Sequence, residues 1–259
     1  MNIIGIIPAR LASSRLPNKP MAEILGMPMI GHVLLRSQRA TILDEVYVAT
    51  CDEVIMEYVK NIGGKAVLTS NAHERASDRA AEALLKIEKD TGEKVDIVVM
   101  IQGDEPMLTP EMIEAAVTPL IENEAIEITN LMSEIMTQEE HEDPAEVKVV
   151  VDLMNNALYF SREPIPSRKK GVTDIRMLKQ VCLIPFRRDF LLKYNSMNQT
   201  PLEIIESVDM NRILENGIKI KMVMIKEETY SVDTIQDLEK VNVKMKGDRL
   251  LMNYLNKQA

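Results

Sequence analysis

Three cations, Arg10, Arg15 and Lys19, fall within ten residues in the stretch Pro8-Ala9-Arg10-Leu11-Ala12-Ser13-Ser14-Arg15-Leu16-Pro17-Asn18-Lys19-Pro20. Backbone N–H groups of the small residues between them can face an anion, so the stretch reads as a phosphate cradle stiffened by proline. The competing reading is a solvated basic loop. Neither GxGxxG nor GxxxxGK[ST] occurs in the chain, which excludes the dinucleotide fingerprint and the Walker cradle. A second candidate is Gln102-Gly103-Asp104-Glu105-Pro106. Its carboxylate Asp104 stands where a Mg²⁺ bridging substrate phosphates is held, or it caps the following turn. Gly103 permits close approach of a ligand to the backbone. Asp233, in Tyr230-Ser231-Val232-Asp233-Thr234, stands at another strand-to-helix junction and taken alone reads as an N-cap.

The elements around these loops give them a common edge. Residues 3–8, 45–50 and 96–101 are short apolar runs rich in β-branched side chains, which suits strands buried on both faces. Amphipathic stretches at 28–40, 52–62 and about 77–89 alternate with them, Asp52 being the expected N-cap of the second. Strand and helix in alternation predict right-handed βαβ units, hence a Rossmann-like doubly wound α/β fold with a mainly parallel sheet. Ligands of such sheets bind at the carboxyl ends of the strands, where both candidate loops lie. In the second half, 147–152 and 157–161 predict a hairpin, 178–186 a strand, and 187–194, 201–216 and 234–256 helices, with Gly217 ending the middle one. We expect one domain of 259 residues in which a smaller α/β lobe at about 145–217 is inserted.

Lys plus Arg total 31 against 40 Asp plus Glu, a net charge of −9. Residues 111–150 hold eleven acids and one base, while 161–200 hold nine bases and three acids. The total charge therefore says nothing against an anionic ligand elsewhere. The acidic segment reads as a helix with solvated carboxylates, then an exposed strand and a loop; meeting the basic lobe of the same or a partner chain is the other reading. With no Trp and 3% aromatic residues, a nucleic-acid stacking surface is not expected. No apolar run reaches the ~18 residues of a membrane span, and neither membrane nor nucleic acid is expected as a partner. Cys51 and Cys182 lack disulfide-scaffold or metal spacing, which points to the cytoplasm. His32 reads as a packing or surface residue, His141 as a solvated one, and the methionines at 245–252 as core or a subunit contact.

The run IIPARLASSRLPNKP resembles the opening motif of CMP-sugar synthetases, most closely the 3-deoxy-manno-octulosonate (Kdo) cytidylyltransferases. The resemblance continues in order through MPMIGHV, VYVATCDE, IQGDEPML, DPAEVKVVVD, ALYFSREPIP, PLEIIESVDMNRIL and SVDTIQDLEKV, nearly the whole chain. It implies a nucleotide-diphospho-sugar transferase fold. It also implies that an acidic 2-keto-3-deoxy sugar attacks the α-phosphorus of CTP and releases pyrophosphate, for lipopolysaccharide or capsule. Carried over, Arg10, Ser14, Arg15 and Lys19 surround the triphosphate, Pro8 and Ala9 lie near cytosine, and Gln102 and Gly103 contact the nucleotide. His73, Ser77 and Arg79 fall on the cytidine loop. Asp104 and Asp233 hold Mg²⁺, Lys19 and Arg15 complete the catalytic set, and Arg162, Gln180 and Glu206 face the sugar. Homodimers are implied.

The chain departs from that pattern in two places. Arg75-Ala76 stands where the family has Ser-Gly, so either Arg75 points to solvent or nucleotide recognition is altered. Gln180 replaces a family His, and Ile184 and Phe186 replace tyrosines. A pocket that loses hydrogen-bonding groups leaves substrate hydroxyls unpaired, at about 1–3 kcal/mol each, so the departures predict an acceptor other than ordinary Kdo. A different nucleotide, a non-sugar acid acceptor and a non-catalytic nucleotide-binding paralogue are the alternatives.

Overall fold

The computed structural model describes residues 1–13, 15–171 and 174–255. Two compact units divide the chain, Met1–Glu114 with Thr229–Ala259, and Ala115–Glu228. The segment 145–217, expected as the inserted lobe, falls within the second unit.

The first unit runs through β1 (Ile3–Ala9), the antiparallel pair β2 (Glu23–Ile24) and β3 (Met27–Pro28), α1 (Met29–Ser37), β4 (Glu45–Thr50), α2 (Glu53–Asn61), β5 (Lys65–Leu68), α3 (Ala76–Thr91), β6 (Ile97–Ile101) and the start of α4 (Pro110–Glu122). Its strands lie in the order β6-β1-β4-β5 and pair in parallel, with Ile6 opposite both Met100 and Tyr47. Every residue of β6 is buried, which is why its sequence carries no alternation. Close packing continues into the turn after α2. A Cβ on Gly64 would come within 2.5 Å of Leu34 Cδ2 and 3.0 Å of the Val59 carbonyl oxygen. Gly64→Ala is therefore expected to cost about 1–3 kcal/mol, visible as a lower Tm in a thermal melt with the cavity lining unchanged.

Ten elements among the described residues make up the rest of the middle of the chain. They are β7 (Thr129–Glu134), α5 (Gln138–Glu142), β8 (Lys148–Val151), β9 (Ala157–Ser161), β10 (Leu178–Val181), β11 (Leu183–Arg187), α6 (Arg188–Asn195), α7 (Pro201–Glu206), α8 (Met210–Glu215) and β12 (Lys221–Met224). One sheet of the second unit has the order β12-β7-β10-β8-β9; β12 pairs with β7 in parallel and the other ladders are antiparallel. Three expectations are corrected here. The strand at 178–186 is broken at Cys182, where the buried Asn130 amide donates to the carbonyls of Val181 (2.7 Å) and Leu183 (3.3 Å). The helix at 201–216 is interrupted by Ser207 in the left-handed region, φ 52; Gly217, φ 72, follows its end as expected. The acidic segment is not solvated throughout as expected, since β7 is buried from Thr129 to Ser133 and His141 is 1% exposed, its Nε2 3.0 Å from the Ile165 carbonyl oxygen.

The chain returns to the first unit with α9 (Ile235–Met245) and α10 (Arg249–Leu255). One continuous helix was expected over 234–256; Gly247 and Asp248 divide it, Asp248 Oδ1 accepting the Leu250 N–H at 2.7 Å. Val232, Val241, Met245 and Tyr254 pack with Ile24, Met27 and Met29 in one core. Beneath Tyr254 lies a polar knot. Arg36, 1% exposed, donates to the Leu108 carbonyl (3.2 Å), to Tyr254 Oη (3.3 Å) and to Asp248. His32 Nε2 lies 2.8 Å from the Ile24 carbonyl oxygen and Nδ1 2.7 Å from Tyr254 Oη. A carbonyl only accepts, so Nε2 carries the proton and Nδ1 accepts from the tyrosine. Burial pushes the His32 pKa down, which keeps that neutral tautomer.

Candidate active site

Both loops picked out by their chemistry leave the carboxyl ends of parallel strands, β1 and β6, and they line one cavity of about 350 Å³. Pro8, Ala9, Arg10, Arg15, Lys19, Gln102, Gly103, Asp104 and Asp233 all line it. The first loop is anchored where Asp52 Oδ2 accepts the Leu11 N–H at 2.8 Å. Asp52 is the N-cap residue of α2, yet its side chain makes no capping bond. Gly103 is tightly placed, since a Cβ there would stand 3.1 Å from the Pro8 carbonyl oxygen.

Two carboxylates converge on one ammonium. Lys19 Nζ is 2.6 Å from Asp104 Oδ2 and 3.0 Å from Asp233 Oδ1, and Arg15 is 3.1 Å from that same Asp233 oxygen. The backbone brings them together, since Val232 N–H donates to the Asp104 carbonyl at 2.9 Å. Asp233 does not cap α9. Thr234 does, its Oγ1 accepting the Asp237 N–H while Asp237 Oδ2 accepts the Thr234 N–H at 2.9 Å, which leaves the Asp233 carboxylate to the cavity. Burial alone would lower the Lys19 pKa, but the attraction and hydrogen bonds of Asp104 and Asp233 outweigh it and raise the value. Lys19 stays charged.

The loop before α3 behaves differently from expectation. Glu74, Arg75 and Ala76 line the cavity. His73 instead pairs with Glu82 through Nε2. Ser77 is fully buried, and Arg79, 2% exposed, donates to Thr69 Oγ1 (2.5 Å) and the Ser70 carbonyl (3.2 Å). None of His73, Ser77 and Arg79 is among the residues lining the cavity. Ser14 lies outside the described residues. The sequence did not single out Glu74; its only signal was its place beside His73.

In the second unit, the residues expected at the sugar hold one another and the main chain. Arg162 Nε donates to the Glu206 carbonyl (2.8 Å), Nη1 to the Pro144 carbonyl (2.8 Å), and its N–H to Glu206 Oε2 (2.8 Å). Glu206 Oε1 accepts from Tyr159 Oη and Ser161 Oγ, both at 2.8 Å. Burial favours protonating Glu206, but these hydrogen bonds prevail and hold its pKa down; the Tyr159 pKa is pushed up to about 12 by burial and by Glu206. Lys148, fully buried, donates to the carbonyls of Asp143 (2.8 Å), Glu146 (2.7 Å) and Arg162 (2.5 Å). The DPAEVK and YFSR motifs are thus parts of one hydrogen-bonded assembly. Gln180 donates to Asn130 Oδ1 at 2.6 Å.

Clustered cations after β1, Asp104 after β6 and Asp233 before α9 meet in one cavity, an arrangement suited to a nucleotidyltransferase. A sequence profile of the cytidylyltransferases matches residues 4–220, and the chain belongs to the cytidylyltransferase family. The 3-deoxy-manno-octulosonate cytidylyltransferase of Geobacter sulfurreducens is 43% identical over 256 residues, 95% of this chain and 100% of that one. Its namesake in Fusobacterium nucleatum is 40% identical over 242 residues, 93% of this chain and 96% of that one. Among solved structures, the CMP:2-keto-3-deoxy-manno-octonic acid synthetase complexed with CTP superposes with a TM-score of 0.88 at 37% identity, covering 95% of this chain and 99% of the other.

Proposed function

We propose that this chain couples CTP to 3-deoxy-manno-octulosonate, giving the CMP-sugar and pyrophosphate. The observation that carries the reading is the cavity itself, in which Arg10, Arg15 and Lys19 stand beside Asp104 and Asp233, in a chain similar along 95% of its length to enzymes so named. That similarity weighs against the acceptor shift expected from Gln180, Ile184 and Phe186, and Kdo is the acceptor put forward. Arg162, Gln180 and Glu206 remain the second-unit residues proposed for acceptor binding, the first and last acting through the backbone they hold.

The reaction is a displacement at the α-phosphorus by the anomeric hydroxyl, and its catalysis is positioning and charge neutralisation. Arg10 and Arg15 donate to the phosphate oxygens, and Gly103 lets the nucleotide lie against the backbone at the end of β6. Asp104 and Asp233 fit a divalent cation, because their oxygens already converge on one positive charge, the Lys19 ammonium. Among the described residues no group of three or more His, Cys, Asp or Glu is placed to hold a metal. Two carboxylates with substrate phosphates and water are the donor set Mg²⁺ takes. When bound, Mg²⁺ supplies charge neutralisation for the departing pyrophosphate.

No helix among the described residues is long and apolar enough to cross a membrane; we place the protein in the cytoplasm, where CTP is available. We also propose a homodimer. On the edge strand β9, Leu158 is 61% exposed, and Leu153 and Met154 in the preceding turn are 103% and 69% exposed, an apolar surface that a second copy would cover. Light scattering at micromolar concentration should give twice the 29.3 kDa chain mass. The substrate reading is tested by pyrophosphate release across the four ribonucleoside triphosphates with a panel of acidic sugars. Activity confined to CTP with Kdo is expected. A clear preference for another acid would restore the acceptor shift, and a preference for another nucleotide would make Arg75 the first residue to revert.

A further inference from the structure

We propose that Glu82, a residue of α3 that does not line the cavity, is a positioning residue for the nucleotide: it fixes the 70–76 loop and, through His73, the guanidinium of Arg10. The inference rests on the CTP reading above. Arg79, Glu82 and Lys86 recur at helical spacing on one face of α3, and they bond to the end of β5 and to the loop that enters that helix. Arg79 holds Thr69 and Ser70, and Lys86 donates to the Leu68 carbonyl at 2.7 Å. Glu82 does more, because one of its oxygens serves two points of the loop. Oε2 accepts the Ser70 N–H at 2.8 Å and pairs with His73 Nε2, while Oε1 takes Lys86 Nζ at 2.7 Å. Two points three residues apart tied to one oxygen set the curvature of the segment between them.

That curvature is read out in the cavity. The His73 carbonyl accepts from Arg10 Nη1 at 3.3 Å, and the next three residues, Glu74, Arg75 and Ala76, line the cavity wall. His73 thereby acts through its backbone, its ring being turned to Glu82. Burial works against the Glu82 carboxylate, but the hydrogen bonds from Lys86, Ser70 and His73 prevail and pull its pKa to about 2, so the tie keeps its charge across the working pH range. Without it the loop samples more conformations, and nucleotide binding must then supply the ordering.

Calorimetric titration with CTP and Mg²⁺ of wild type, Glu82→Ala, His73→Ala, the double variant and Lys86→Met tests this, with steady-state kinetics alongside. Each single alanine is expected to raise the CTP Kd about tenfold with kcat within about twofold. The double variant should be no weaker than either single. Glu82→Gln, which keeps an oxygen for the Ser70 N–H, should lose only about threefold and serves if the alanine variant does not fold. Lys86→Met, which leaves the Ser70 and His73 ties in place, should change Kd less than about twofold. An unchanged Kd in Glu82→Ala and Glu82→Gln overturns the proposal, and so does a double variant about a hundredfold weaker, which would mean that His73 meets the nucleotide directly. If the wild type bound another triphosphate in place of CTP, the substrate reading would fall, and the same variants titrated with that triphosphate would still decide the role of Glu82.

Discussion

Asp104→Asn is expected to lower kcat by about 10²–10³-fold or more, the range seen when one preorganised electrostatic contact to a transition state is removed, while CTP binding weakens by much less. The side chain stays the same size and can still accept a hydrogen bond from Lys19, now 2.6 Å away. What disappears is half of the negative charge on which a cation converges. That charge matters most when pyrophosphate leaves, so the loss belongs in kcat. Saturating CTP with varied Mg²⁺ separates the two quantities. A kcat that falls only in step with CTP affinity would mean that Asp104 serves to anchor Lys19 and nothing more.

Arg36→Met is expected to be strongly destabilising although the side chain lies outside the cavity. It leaves the Asp248 carboxylate, 15% exposed, facing an apolar chain, and it removes the donor to the Leu108 carbonyl. Breaking a buried pair from one side costs about 3–5 kcal/mol, a Tm lower by about 10 °C for a chain of this size. Adding Asp248→Leu should recover part of the loss, because no orphaned charge remains. Chemical denaturation of the two single variants and the double variant checks the arithmetic; a double variant as unstable as the sum of the singles would show that helix α10 depends on Asp248 as its cap and not on the ion pair.

Much of the first unit was legible because its strands are apolar without interruption and its functional loops carry residues that have little other use. The spacing of Arg10, Arg15 and Lys19 and the position of Asp104 after a buried run were enough to draw the carboxyl edge of the sheet. Asp233 was ambiguous for a physical reason: an aspartate before a threonine at a helix start can cap, and only the reciprocal bonds of Thr234 and Asp237 free it for the cavity. The second unit was harder. Thr129, Asn130 and Ser133 make β7 look like a surface strand, yet all three are buried; the Asn130 amide and the Thr129 hydroxyl, 2.6 Å from the Ala116 carbonyl oxygen, are satisfied by backbone that no local pattern specifies. His73, Ser77 and Arg79 were chosen by motif, and the motif could not say which way a ring or guanidinium turns. Glu82 carried no signal at all, being one more charged residue on a helix.

The first unit is discontinuous in sequence, with Asp233 and the Tyr254 core arriving after the whole of the second unit. During synthesis, on the order of a hundred residues must emerge between the two parts, a delay of roughly 5–20 s at ordinary elongation rates. For that interval the β2-β3 pair and α1 already present Ile24, Met27 and Met29 without the helices that cover them, and the cavity lacks its second carboxylate. The growing polypeptide therefore passes through a stage in which those apolar side chains lack their cover, and the cavity gains Asp233 only after the second unit has been made.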